Sequence, residues 1–122
     1  MAKALITGAS SGIGREIAKV LSDKGYETVL VARRKEKLEE LQKILPQKSF
    51  VEVCDASSIA DLENLVQKHP DIDILVNNAG FGISGATEFT SLESAKKQFD
   101  VNFFGTVTCS NQVAEYMRKQ GG

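Results

Sequence analysis

Short apolar runs and amphipathic stretches alternate along the chain from its first residues. "KALIT" (3–7) is an apolar run that stops at Gly8. "REIAKVLSDKG" (15–25) then sets Ile17, Ala18, Val20 and Leu21 on one helical face and ends at Gly25. "ETVLVA" (27–32) is rich in β-branched residues and reads as a buried strand. "KEKLEELQKIL" (35–45) carries Leu38, Leu41 and Leu45 at helical spacing before Pro46. "SFVEV" (49–53) is a third strand. "SIADLENLVQKH" (58–69) is a helix with Ser57 or Ser58 as N-cap and Pro70 at its end. "DIDILVN" (71–77) is a fourth strand, 78–91 a loop, and 92–120 a long helical stretch. In that stretch Phe99, Phe103, Thr106, Ser110, Val113 and Met117 form a stripe, with Phe104, Val107 and Ala114 beside it.

Strict alternation of strand and helix predicts an α/β fold: a doubly wound parallel sheet with right-handed crossovers and helices on both faces. At 122 residues, with no linker or repeat, the chain reads as one domain. Lysine and arginine total 15 against 16 acids, so no basic surface argues for nucleic acid or a membrane. Cys54, Cys109 and the lone His69 are too few and too scattered for a disulfide framework or a metal site. Buried thiols, no signal-peptide pattern and no apolar run near the ~20 residues of a membrane span make a cytoplasmic protein the expectation.

The first strand-to-helix turn, "TGASSGIGR" (7–15), carries the chemistry. Gly8 allows a sharp turn, Gly12 a close backbone approach, and Gly14 tight packing of helix on strand. A helix N-terminus there presents N–H groups and a positive dipole end to a pyrophosphate, and the hydroxyls of Thr7, Ser10 and Ser11 add donors. This makes the sheet Rossmann-like. A second glycine run, "GFGISG" (80–85), matches G-x-G-x-x-G literally, but no helix opens on its last glycine and no strand with a ribose-binding acid follows. It reads instead as an active-site loop. Strand two runs into Arg33 and Arg34, where an NAD site places an acid about 20 residues past the glycines. Two guanidinium groups suit a 2′-phosphate, so NADP is preferred over NAD.

Together with "CDAS" (54–57), "NNAG" (77–80) and "FDVNFFGT" (99–106), these residues resemble the short-chain dehydrogenase/reductase family over its cofactor-binding half. The resemblance implies strand order 3-2-1-4. It implies hydride transfer between NADP(H) and a small carbonyl or alcohol substrate. Thr7, Gly8, Ser10, Gly12, Ile13 and Gly14 would line the dinucleotide, and Arg33 and Arg34 would take the 2′-phosphate. Asp55, with Ala56 beside it, would meet the adenine. Asn78, Ala79 and Gly80 would lie along the adenine ribose, while Asn77 helps hold strand four. Asn102 resembles the family's catalytic asparagine. Read without the family, Asp55 is equally a helix N-cap, "NNAG" equally turn chemistry, and Asn102 a satisfied buried amide.

The family's proton donor sits in Tyr-x-x-x-Lys, with a Ser on the preceding strand. Here Tyr116 is followed by Lys119 at three residues, and Tyr26 by Leu30 at four. Neither supplies the motif. Residues 1–122 therefore read as the NADP-binding portion of a reductase without its catalytic half, inactive alone. A non-catalytic nucleotide-binding or self-associating module is the other reading. An open sheet edge in either case predicts pairing with another chain, or a homo-oligomer through that edge or the C-terminal helix.

Overall fold

The computed structural model describes residues 2–55, 58–78, 93, 96 and 106–119. The elements run β1 (Lys3–Thr7), α1 (Gly12–Asp23), β2 (Glu27–Ala32), α2 (Lys35–Ile44), β3 (Ser49–Val53), α3 (Ile59–Lys68) and β4 (Ile74–Val76). Helix α4 (Thr106–Lys119) follows among the described residues. All four strands are parallel in the order β3-β2-β1-β4. The fold is the expected Rossmann-like sheet.

Two cores sandwich that sheet, because alternate strand residues point to opposite faces. Ile6 and Leu30 meet Ala18 of α1 and Leu38 and Leu41 of α2 on one face. Leu5, Val29 and Val31 meet Leu62, Leu65 and Val66 of α3 and Val113 of α4 on the other. The punctuation of the chain is realised locally. Ser58 caps α3 by accepting from the Asp61 N–H at 3.3 Å. Gly25 takes φ 98°, with its N–H on the Ser22 carbonyl at 3.0 Å, and so ends α1. Cys54 is buried as a thiol. His69 packs edge-on against Phe50, centroids 5.4 Å apart, and puts Nε2 3.5 Å from Glu52. Among the described residues no cluster of His, Cys, Asp or Glu could hold a metal, and no helix is long and apolar enough to cross a membrane.

Several boundaries differ from the sequence reading. Helix α1 starts at Gly12 rather than Arg15, since two glycines inside its first turn are tolerated where the backbone must approach the strand. The fourth strand shrinks to Ile74–Val76. The Lys3 N–H goes to the Asp73 carboxylate at 2.9 Å, so the β1–β4 ladder begins only at Ala4 and Ile74. Val20, on the apolar face of α1, and Val107 and Ala114, beside the stripe of α4, are exposed. In α4 the half-buried partners of Val113 are Tyr116 and Met117. The helix expected over 92–105, with Phe99, Phe103 and Phe104, lies outside the described residues apart from helical Glu93 and Lys96. The side chain of Cys109 lies outside them too.

Fully buried Leu41 holds α2 on the sheet. Leu41→Ala is expected to cost roughly 2–5 kcal/mol in urea unfolding. Lys3 Nζ donates to Asp71 at 3.0 Å, and this bond, ahead of the smaller backbone and Coulombic contributions, holds the Asp71 carboxyl below its ordinary pKa against the opposing effect of burial. A depressed folded-state pKa stabilises above the unfolded value, and that contribution is lost as pH falls through the folded one. Because the Asp71 side chain is 60% exposed, the pair is weak. Asp71→Asn should lower stability at neutral pH by under about 1 kcal/mol, with the difference vanishing in acid below the carboxylate range.

Candidate functional site

The site forms where the chain leaves the C-terminal ends of β1, β2 and β3. Past Thr7 the backbone turns at Gly8 (φ 67°) and again at Gly12 (φ 58°), conformations that side-chain-bearing residues rarely hold. Between them Ala9 is buried, its N–H bonded to the Val31 carbonyl of β2 at 3.0 Å. That bond pins the loop to the neighbouring strand. Ser11 is the N-cap in extended backbone, and its side chain makes no cap bond. The exposed run Ser11–Gly12–Ile13 thus opens α1 with unsatisfied N–H groups and a hydroxyl facing outward. A Cβ at Gly12 would meet nothing within 4 Å, so its positive φ is what requires glycine there.

Gly14 is constrained differently. A Cβ on it would collide with the carbonyl of Gly8 and with Nδ2 of Asn78. Those two groups are themselves bonded, Asn78 Nδ2 donating to Gly8 O at 3.2 Å. Beside them the Thr7 hydroxyl donates to the Val76 carbonyl at 3.3 Å and accepts from the Asn78 N–H at 3.0 Å. Thr7 is 3% exposed. Its hydroxyl therefore serves the β1–β4 junction. Asn78, expected along the ribose, is the residue that ties β4 to the loop. Asn77, expected to help hold the strand, donates from Nδ2 to the Ser110 hydroxyl of α4 at 3.1 Å. Adjacent asparagines at a strand end point to opposite sides, so the two amides meet different partners.

Arg33 and Arg34 are exposed immediately past β2, whose Val31 is in register with Thr7 of β1. Among the described residues neither guanidinium has an ion pair, and Arg34 begins α2 from extended backbone. Asp55 follows β3, after Cys54 has donated its N–H to Ala32 at 3.0 Å, and its carbonyl accepts from Ser58 at 2.9 Å. The structure thus gathers Ser10, Ser11, Gly12 and Ile13, the two arginines and Asp55 at one end of the sheet. This is the edge where open parallel sheets bind ligands. Ala56, Ala79, Gly80, Asn102 and the "GFGISG" run lie outside the described residues. Tyr116 is half-buried in the core on the α3–α4 face, with Lys119 Nζ 5.7 Å from its ring centroid.

Gly14→Ala should cost about 1–3 kcal/mol by overpacking, or more if the Gly8–Asn78 bond breaks with it. Asn78→Ala should cost about 1–3 kcal/mol by leaving the Gly8 carbonyl unpaired. Chemical denaturation measures both.

The sequence pattern of the short chain dehydrogenase family matches residues 2–122. The chain is 36% identical over 116 residues to a 3-ketodihydrosphingosine reductase of Bacteroides thetaiotaomicron, covering 94% of this chain and 42% of that one. It is 38% identical over 102 residues to a probable short-chain type dehydrogenase/reductase of Helicobacter pylori, covering 83% and 38%. Among solved structures, a short-chain dehydrogenase from Sphingobium yanoikuyae in complex with NADPH superposes with TM-score 0.90 at 30% identity, over 99% of this chain and 50% of that one. The chain therefore spans half or less of the length of these relatives. With the glycine turn, the sheet order and these matches in agreement, the chain belongs to the short-chain dehydrogenase/reductase family of oxidoreductases, whose members bind NAD(P).

Proposed function

We propose that residues 1–122 are the NADP(H)-binding portion of a cytoplasmic short-chain reductase that exchanges hydride with a small carbonyl or alcohol substrate. The observation that carries this reading is the placement of Arg33 and Arg34. They stand exposed at the end of β2, next to the strand that launches the Gly8–Gly14 turn. A dinucleotide whose pyrophosphate sits on the N-terminus of α1 runs its adenosine half toward β2 and β3. Its ribose 2′-position then faces these side chains. A 2′-phosphate gains charge-assisted bonds there, where the strand ends in Arg33 and Arg34 and not in an acid.

The roles follow from this pose. Gly8, Gly12 and Gly14 shape the turn, and Ser10, Ser11 and Ile13 contact the dinucleotide. Thr7 supports the turn from beneath. Asp55 and Ala56 bound the adenine. Asn78, Ala79 and Gly80 would lie along the adenine ribose, and Asn102 would support a proton relay. The bound nicotinamide supplies or takes the hydride. Proton transfer requires a Ser and a Tyr-x-x-x-Lys from outside residues 1–122, since Tyr116 is committed to the core with its lysine one residue too close. The portion described is expected to bind cofactor without turnover.

Fluorescence titration of the purified chain with NADPH and NADH tests this. NADPH should bind at least about tenfold more tightly, close to 1.4 kcal/mol. Replacing both arginines with Ala should erase the preference while leaving NADH affinity intact. Equal affinities in the unaltered chain would overturn the NADP assignment.

A further inference from the structure

Strand β3 ends the sheet on the side away from β4, and among the described residues it pairs only with β2. The direction of its peptide groups is fixed at both ends. The Lys48 carbonyl accepts from the Thr28 N–H at 3.2 Å, and the Cys54 N–H donates to the Ala32 carbonyl at 3.0 Å. In a parallel ladder, residues bonded to one neighbour alternate with residues that face the other way. Lys48, Phe50, Glu52 and Cys54 therefore commit their peptide groups to β2. Ser49, Val51 and Val53 aim theirs at the open edge, where a further strand could pair. One of these outward groups is taken. Gln42, exposed on α2, donates from Nε2 to the Ser49 carbonyl at 2.9 Å.

The side chains carry a second pattern. Lys48, Phe50 and Glu52 share the α3 face of the strand, where Phe50 is half-buried against the core and Glu52 lies beside His69. Lys48 is exposed and makes no ion pair among the described residues, its Nζ resting 5.0 Å from the Phe50 ring centroid. Glu52 meets Lys68 and His69 only at 3.8 and 3.5 Å, and its Oε2 makes no hydrogen bond among the described residues. Cation, ring and anion in that order make the strand its own complement when it is turned end for end about Phe50. We propose that the outer edge of β3 is a pairing surface for a second copy of this chain, held shut by the Gln42 amide. In the pair, two β3 strands run antiparallel about a two-fold axis at Phe50. Lys48 of each copy then stands opposite the partner's Glu52, and Ser49 and the partner's Val51 exchange N–H···O bonds through their outward groups. Moving the axis to Val51 would set Phe50 opposite Glu52 and Lys48 opposite Cys54, losing both ion pairs. A parallel second copy has no such axis and leaves another edge open. An unrelated extended segment fits only if it carries the same charges in reverse order. Gln42 is the brake because the Ser49 carbonyl it holds is the acceptor for the partner's Val51 N–H. In a strand of five residues, loss of that acceptor removes much of the ladder.

Sedimentation velocity over a concentration series, on the purified chain and its variants, tests this. Gln42→Ala should self-associate at least about tenfold more tightly than the unaltered chain. Gln42→Glu, nearly the same size but without the N–H donor, should do the same. Adding Lys48→Arg to Gln42→Ala should keep the dimer. Adding Lys48→Glu should weaken it at least about tenfold, because like charges then face each other across the strands. Gln42 and Lys48 are both exposed, so the circular dichroism of every variant should match that of the unaltered chain. Should the unaltered chain already dimerise through another surface, the same comparison is read on the dimer-to-tetramer step. Association unchanged by both Gln42 substitutions would overturn the proposal. So would a dimer that Lys48→Glu leaves intact, which would put the contact on another surface such as the edge of β4. Larger species indifferent to Lys48→Glu would overturn it too, since strands other than a second β3 would then be taking the edge.

Discussion

Everything at the ligand-binding edge depends on one junction, in which Asn78 holds the Gly8 carbonyl and Thr7 ties β1 to the end of β4. A chain leaving a strand to start a helix almost at once must satisfy its carbonyls in a space too narrow for another turn. Here a side-chain amide from 70 residues downstream supplies the partner. The amide needs room, and the room comes from the missing side chain of Gly14. Gly8, Gly14, Thr7 and Asn78 are thus one mechanical unit. The exposed run Ser11–Ile13 is what that unit presents at the surface.

The same junction explains why α1 is built with its small residues inward. Close approach at Gly14 brings the whole helix down onto the sheet, and only Ala18 and Ser22 fit the next two turns. Ser22 is fully buried and spends its hydroxyl on the Gln47 N–H at 3.1 Å, which closes the far end of the layer. The bulky aliphatic residues must then lie on the flank. A helix brought this close to the strands at the glycine turn carries Ile13 and Val20 exposed on its flank.

Much of this was legible in the chain. Strand and helix periods differ, so alternating runs specify a parallel α/β sheet, and glycines between the first strand and helix specify where an anion sits. Arg33 and Arg34 are placed by counting from those glycines. Helix caps at Ser58 and Gly25 are local chemistry and read directly. Sequence spacing alone erred where the outcome depended on distant partners. It set Val20 on one face with Ile17, Ala18 and Leu21, and a helical wheel cannot say which of two adjoining stripes meets the sheet. It could not see that the Thr7 hydroxyl lies beside the Val76 carbonyl.

Pattern and composition by themselves determined the class of fold, the position of the glycine turn and the sign of the charge beside it, since each follows from backbone geometry and residue type within a few positions. Tertiary structure alone decided which of two neighbouring asparagines locks the turn, which face of α1 is left open, and that Tyr116 packs in the core. Those outcomes are set by contacts between residues tens of positions apart, and no local periodicity encodes the register in which they meet.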